Sequence, residues 1–227
     1  MQFLQPVKTA AIAVGLIVLI SGCAVQKSLT PELIEKTKSM AVYSVVPEGA
    51  PTVFVKGGGS GVMQGGLIGG AIDGFIAARR RAKLMKRMAP ISRAAADFNF
   101  REAVWSRHQS AILHAKWFKV SKFEQHHALT AGEFRKLKLP FIILNTSYRF
   151  APRFQVLNVQ TFATIFVTSH EQADSFTRYF SYSPRIGTKR NAPGFWAENQ
   201  AALLRKEALA GLDRNIEMLK YDLLSHP

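Results

Sequence analysis

The chain of 227 residues contains one cysteine, Cys23, and this is the side chain with the clearest chemistry. A single thiol can be alkylated or oxidised, but it cannot build a disulfide framework or a thiolate metal cluster. The histidines come next. His126 and His127 follow Glu124 closely, and imidazole beside carboxylate in a loop is metal-ligand chemistry. His108 and His114 stand six residues apart, which puts them on different faces of a helix. Ser, His and Asp residues occur, with no spacing that groups them as nucleophile, base and orienting acid. There is no G-x-S-x-G elbow and no H-E-x-x-H pair. Gly57-Gly58-Gly59-Ser60-Gly61 lacks the Lys-Ser/Thr ending of a phosphate-cradling loop. The reading is a chain with no catalytic residue, no cofactor and no metal site. The alternative is a metal-dependent envelope hydrolase using the His108, His114, His126 and His127 region.

The elements that must position these residues begin with the N-terminal segment. Met1 to Lys8 carries one positive charge, and Thr9 to Ile20 is an apolar run of 12 residues ending in Ser21, Gly22 and Cys23. A charged start, a short apolar core and small residues before a cleavage point make a secretory signal. The run is too short for a spanning helix, which needs about 20 apolar residues. Ile20-Ser21-Gly22-Cys23 resembles the lipobox of bacterial lipoproteins. The resemblance implies removal of residues 1–22 and a lipid (diacylglyceryl and palmitate-type acyl chains) on Cys23. It also implies a membrane anchor as the first partner. Ala24, where an inner-membrane retention signal would have Asp, implies export to the outer membrane of a double-membraned host, facing the periplasm.

Lys plus Arg outnumber Asp plus Glu by 30 to 15, a formal charge of +15, which falls to +14 when Lys8 leaves with the signal. Such an excess attracts any polyanion. In the expected compartment the partner is an envelope surface and not nucleic acid.

The domain boundaries follow: residues 1–22 signal, 23–30 lipidated tether, and 31–227 one periplasmic domain. The segment 57–89 within it forms a glycine-rich and basic helical unit. Thr30-Pro31 has the form of an N-cap with Pro at the first helical position and opens a short helix through Thr37. Met40–Val46 and Thr52–Lys56 read as strands, a helix spans 92–115, and Trp117–Phe123 reads as a further strand. Thr130 to Glu133 has capping-box spacing. Between Pro140 and Tyr182 apolar residues alternate with polar ones over 142–150, 156–167 and 174–182, the period of half-buried strands. From Phe195 to Leu223 the residues Leu209, Leu212, Ile216, Leu219 and Leu223 recur at 3-4-3-4 spacing, the stripe of an amphipathic helix. The expected fold is therefore α+β, a small antiparallel meander packed with helices, including a long C-terminal one.

The remaining motif is a run of glycines. Gly57, Gly61, Gly65 and Gly69 recur every four residues, beside a second row of Gly66, Gly70 and Gly74. Only Gln64 and Asp73 are polar between Val62 and Ala78, so a helix here has no hydrophilic side and must be buried in protein or lipid. Six glycines between 61 and 74 cost a helix about 5–6 kcal/mol against alanine, a loss that close backbone packing can offset. The pattern resembles the glycine zippers of bacterial envelope proteins, which implies contact with another envelope protein or self-association. Arg79, Arg80, Arg81, Lys83, Lys86 and Arg87 follow it directly and suit anionic headgroups, at about 1 kcal/mol each near the surface. The functional expectation is a membrane-anchored, non-enzymatic binding or assembly component of the envelope. A lipid-interacting protein using 62–87 is a further alternative.

Overall fold

The computed structural model describes residues 29–47, 51–53, 71–151, 153–186 and 192–224. Helix α1 (Pro31–Lys36) leads into strand β1 (Ser39–Val45), and a two-residue strand β2 (Thr52–Val53) follows. Helices α2 (Ala71–Ala94) and α3 (Phe100–Ile112) precede β3 (Lys119–His126), and the short helix α4 (Ala131–Lys136) precedes β4 (Phe141–Phe150). Strands β5 (Leu157–Phe166) and β6 (Ser175–Tyr182) and the C-terminal helix α5 (Ala192–Leu219) complete the order, with a π-helical turn over Lys220–Leu224.

The class is α+β, but the sheet is mixed and not a simple antiparallel meander. Its order is β3-β1-β4-β5-β6, with β2 paired to the end of β4. The expected meander is present as β4, β5 and β6, antiparallel in turn from Phe141↔Phe166 and Asn158↔Tyr182 onward. Strands β1 and β3 add to it in parallel, with β1 between β3 and β4. The reason lies in the burial of β1, where Met40 through Val45 are all covered. A strand covered on both faces shows no alternation, and parallel strands are of this kind.

Two crossovers explain where the helices lie. After β1 the chain sets β2 beside the end of β4, reaches β3 by way of α2 and α3, and then returns across β1 to β4 through α4. Crossovers of one hand that step in opposite directions put their helices on opposite faces of the sheet. Accordingly α2, α3 and α5 cover one face, over a core that includes Ile91, Phe100, Val104, Ile142, Leu204 and Leu212. Helix α4 covers the other face, where Phe134 packs on Ala41, Tyr43, Phe141, Ile143 and Phe166. Helix α2 buries the stripe Leu84, Arg87, Met88 and Ile91 and leaves Lys83, Met85 and Lys86 outside.

Two helix expectations need correction. The helix expected over 92–115 is two helices, because Asn99 caps a fresh start by accepting a hydrogen bond from the Glu102 amide at 3.1 Å. The long C-terminal helix is broken. Glu198 is extended, and Asn199, Gln200 and Ala201 take left-handed backbone angles (φ 49°, 56° and 58°). The break lets the first segment tuck Trp196 against Phe150, 5.0 Å between ring centroids, while the second lays Leu204, Ala208, Leu212, Ile216 and Leu219 on the sheet. At Gly211 the helix comes so close to β5 that an added Cβ would meet Val159 Cγ2 at 2.7 Å.

Candidate functional site

Three parallel strands that run the same way begin at the same end of the sheet. Here that amino end collects lysines from three separate segments. Lys36 and Lys38 precede β1, Lys116 and Lys119 lead into β3, and Lys136 and Lys138 lead into β4. All six are exposed. Glu35 pairs with Lys38 at 2.5 Å, whereas Lys36, Lys116, Lys119, Lys136 and Lys138 make no ion pair among the described residues.

A groove of ≈ 480 Å³ opens at this end, between β1 and β3 on one side and the α4–β4 connection on the other. Ser39, Tyr43, Ser121, Lys122, Glu124, Lys136 and Lys138 line it. Its shape follows from local sequence. A bulge at Ser121 shifts the register so that Ala41 faces Lys122 and Tyr43 faces Glu124. On the far wall a full capping box starts α4, with the Thr130 amide donating to Glu133 at 2.8 Å and the Glu133 amide donating to Thr130 at 3.2 Å.

The charges of the groove are set by one pair and by burial. Lys122 donates to Glu124 at 2.6 Å, which holds the carboxyl below its ordinary range and raises the ammonium. Burial pushes the Tyr43 phenol up, with the Glu124 charge adding to the effect and Lys122 opposing it. The carboxyl is thus held ionised against its lysine and the phenol is held protonated, a hydroxyl able to donate a hydrogen bond. What remains is a cationic rim around a phenol and two serines, which suits an anion with hydrogen-bonding oxygens.

The four histidines of the sequence reading are not brought together. His126 lies on the groove face, 3.6 Å from Glu124 and 5.8 Å from the Tyr43 ring. His127 stacks instead on Trp105 of α3, 5.4 Å between rings. His114 bonds the Ser110 carbonyl at 3.1 Å within its own helix end. His108 is fully buried. Among the described residues no three His, Cys, Asp or Glu side chains converge to hold a metal ion.

His108 forms an arrangement that sequence spacing did not reveal. Its Nδ1 meets Ser44 Oγ at 2.7 Å and its Nε2 meets Thr146 Oγ1 at 3.0 Å. Thr146 continues to Thr161 at 2.9 Å, and Asn215 of α5 ties β5 to β6 by donating to the Val159 carbonyl and accepting from Ser181. The Ser44–His108 contact has the atoms of a nucleophile and its base, but both are sealed at 0% exposure. Burial also lowers the imidazole to about 3, so it cannot take a proton near neutrality. The network is structural: it satisfies polar groups that α3 and α5 press against the sheet. The signal that would have found it is a polar residue at an inward helix position, which a spacing search for catalytic motifs does not read.

The lipidation residues Ile20, Ser21, Gly22 and Cys23 lie outside the described residues, as do Gly57, Gly61, Gly65, Gly66, Gly69 and Gly70. Gly74 and Arg79 to Arg81 lie in α2. Lys83 and Lys86 are exposed, and Arg87 lies half-buried with its guanidinium 4.9 Å from the Phe154 ring. Among the described residues no helix is long and apolar enough to cross a membrane. Neither a protein-family model, nor a curated protein, nor a solved structure matches the chain.

Proposed function

We propose that the chain is a lipid-anchored envelope lipoprotein whose domain works by binding, as an assembly or scaffolding component, and not by catalysis. The observation that carries the anchor is the coincidence of the sole cysteine with the end of a 12-residue apolar run and the Ile20-Ser21-Gly22 triplet. With Ala24 behind it, the preferred site is the periplasmic face of an outer membrane. Support for a binding role comes from the groove, which sets Lys122, Lys136 and Lys138 around the Tyr43 hydroxyl, and from the separation of the histidines, with His127 against Trp105 and His108 buried. The protein partner, an envelope protein or a second copy, is assigned to the glycine rows of 57–74 and the exposed side of α5.

The test is intact-mass measurement on the mature protein from envelopes. The expected product lacks residues 1–22, carries acyl chains on Cys23 and moves to the soluble fraction on Cys23→Ser. A bare Cys23 with residues 1–22 still attached overturns the anchor. For the binding role, chemical crosslinking in intact envelopes is expected to give one dominant adduct that is lost when Gly65→Leu and Gly69→Leu are combined.

A further inference from the structure

We propose that the amino end of the parallel strands is a membrane-docking surface, built to rest on anionic phospholipid headgroups; this rests on the Cys23 anchor proposed above. The first support is reach. Five residues separate Cys23 from Leu29, where the described chain begins, and the six Cα–Cα steps between them span about 20 Å when extended. Helix α1 adds about 9 Å and delivers the chain to the start of β1. A strand the length of β4 is about 33 Å long. The tether therefore holds the amino end within headgroup range and does not reach the other end of the sheet, even from a point one helix length along it.

The second support is chemistry. Among the described residues five lysines without an ion pair, Lys36, Lys116, Lys119, Lys136 and Lys138, stand at this end as point charges on flexible stems, against Lys83 and Lys86 on α2 and Lys206 on α5. The acidic groups facing them are largely engaged: Glu35 with Lys38, Glu124 with Lys122, Glu217 with Lys220, and Glu133 in its cap. The β5–β6 connection also lies there, with His170 on the Leu137 carbonyl at 2.7 Å; its Asp174 is held by the Val167 and Thr168 amides, which leaves Glu32, Asp222 and the exposed Glu171 as the remaining carboxylates.

The third support is apolar exposure. Leu113, at the end of α3, is 82% exposed, and Tyr221, in the final π turn, is 73% exposed. Both belong to the amino end, because Trp117, just before β3, donates its indole N–H to the Leu223 carbonyl at 2.6 Å and so joins these two segments. Exposed Leu and Tyr among lysines form the side-chain mixture of a membrane interface, where the aliphatic and aromatic groups enter the headgroup layer and the ammonium groups meet phosphate. Each lysine near an anionic surface is worth about fivefold in affinity. The groove beside Tyr43 receives a phosphate between Lys122, Lys136 and Lys138.

The experiment uses the full chain in nanodiscs, either phosphatidylcholine alone or phosphatidylcholine with phosphatidylglycerol, and reads the reactivity of individual lysines toward an amine-acylating reagent by mass spectrometry. In the phosphatidylglycerol discs Lys119, Lys136 and Lys138 are expected to react about fivefold more slowly than in the neutral discs, while exposed Lys206 of α5 is unchanged. Combining Lys136→Glu with Lys138→Glu is expected to restore Lys119 reactivity without altering the far-ultraviolet circular dichroism. Equal reactivity in both discs overturns the proposal. So does protection centred on Lys83 and Lys86, which moves the contact to α2, or equal protection by inorganic phosphate in neutral discs, which makes the groove a soluble-anion site. Intact mass from the same discs reports Cys23 separately. Bare Cys23 with protected lysines removes the anchor and keeps the surface; acylated Cys23 with reactive lysines does the reverse.

Discussion

The two ends of this sheet are finished in opposite ways. Where β4 ends, Phe150, Phe154 and Trp196 are all at 0% exposure, with ring centroids 5.0–5.7 Å apart. The Trp196 indole donates to the Phe154 carbonyl at 2.6 Å, and Arg87 stacks on the Phe154 ring. Nearby, Tyr148 lies 3.9 Å from Phe100. Where β1, β3 and β4 begin, lysines stand out into solvent beside Leu113 and Tyr221. Buried aromatic area contributes several kcal/mol per residue, whereas exposed charges contribute almost nothing to folding. One end is thus explained by the stability of the domain. The other is not, and its composition makes sense as a surface for something outside the chain.

That contrast can be broken or sharpened by measurement. The largest effect is expected from Trp196→Ala, a loss of about 3–5 kcal/mol in urea unfolding; a loss under about 1 kcal/mol would mean the aromatic end is not what holds the sheet. Acid is next, through His108. Its imidazole is neutral in the fold down to about 3, while in the unfolded chain it protonates near 6.5. The unfolded state therefore binds the extra proton between these values, so stability is complete above about 6.5 and declines as pH falls toward 3. The slope is about 1.4 kcal/mol per pH unit, about 3 kcal/mol by pH 4. His108→Gln should be less stable at neutral pH and lack this component of the slope, read as the difference between the two stability–pH curves.

Gly211→Leu is expected to cost about 2 kcal/mol, since overpacking against Val159 outweighs the gain in helix propensity; a neutral result in thermal unfolding would mean α5 can lift from β5. The smallest effect belongs to the amino end. Lys136→Glu with Lys138→Glu should alter stability by less than about 0.5 kcal/mol, even though it is expected to change behaviour at an anionic membrane. A loss comparable to that of Trp196→Ala would erase the distinction between the two ends.

Local features were the ones that sequence reading recovered. Period-two alternation over 142–150 and 156–167 places β4 and β5, which pair antiparallel. Thr130 and Glu133 mark the start of α4 because a capping box is closed by four consecutive residues. Of the stripe Leu209, Leu212, Ile216, Leu219 and Leu223, the last four lie in the core, and Leu209 stays half-exposed because Ala208 takes the inward position. Features that depend on distant partners were missed. The left-handed break at Asn199–Ala201 serves Trp196, whose partners Phe150 and Phe154 lie more than forty residues away, whereas the split within 92–115 rests on a local cap, Asn99 accepting from the Glu102 amide. The candidate site was missed for the same reason. The basic run of Arg79–Arg87 is contiguous and legible along the chain, while the lysines of the amino end are dispersed over about a hundred residues and are gathered only by parallel pairing.

By itself the sequence determined the periods of its strands, the capping box of α4, the proline that opens α1 (whose Thr30 makes no side-chain cap), the lone thiol that excludes disulfides, and the absence of any contiguous catalytic motif. These are properties of neighbours along the chain, governed by backbone sterics and short-range hydrogen bonds. Tertiary structure alone decided that β1 enters between β3 and β4, that His108 is sealed against Ser44 and Thr146, and that three lysine-bearing segments share one end of the sheet. Such outcomes depend on which buried faces fit together, and that fit is set by the packing of the whole domain, to which no single segment holds the key.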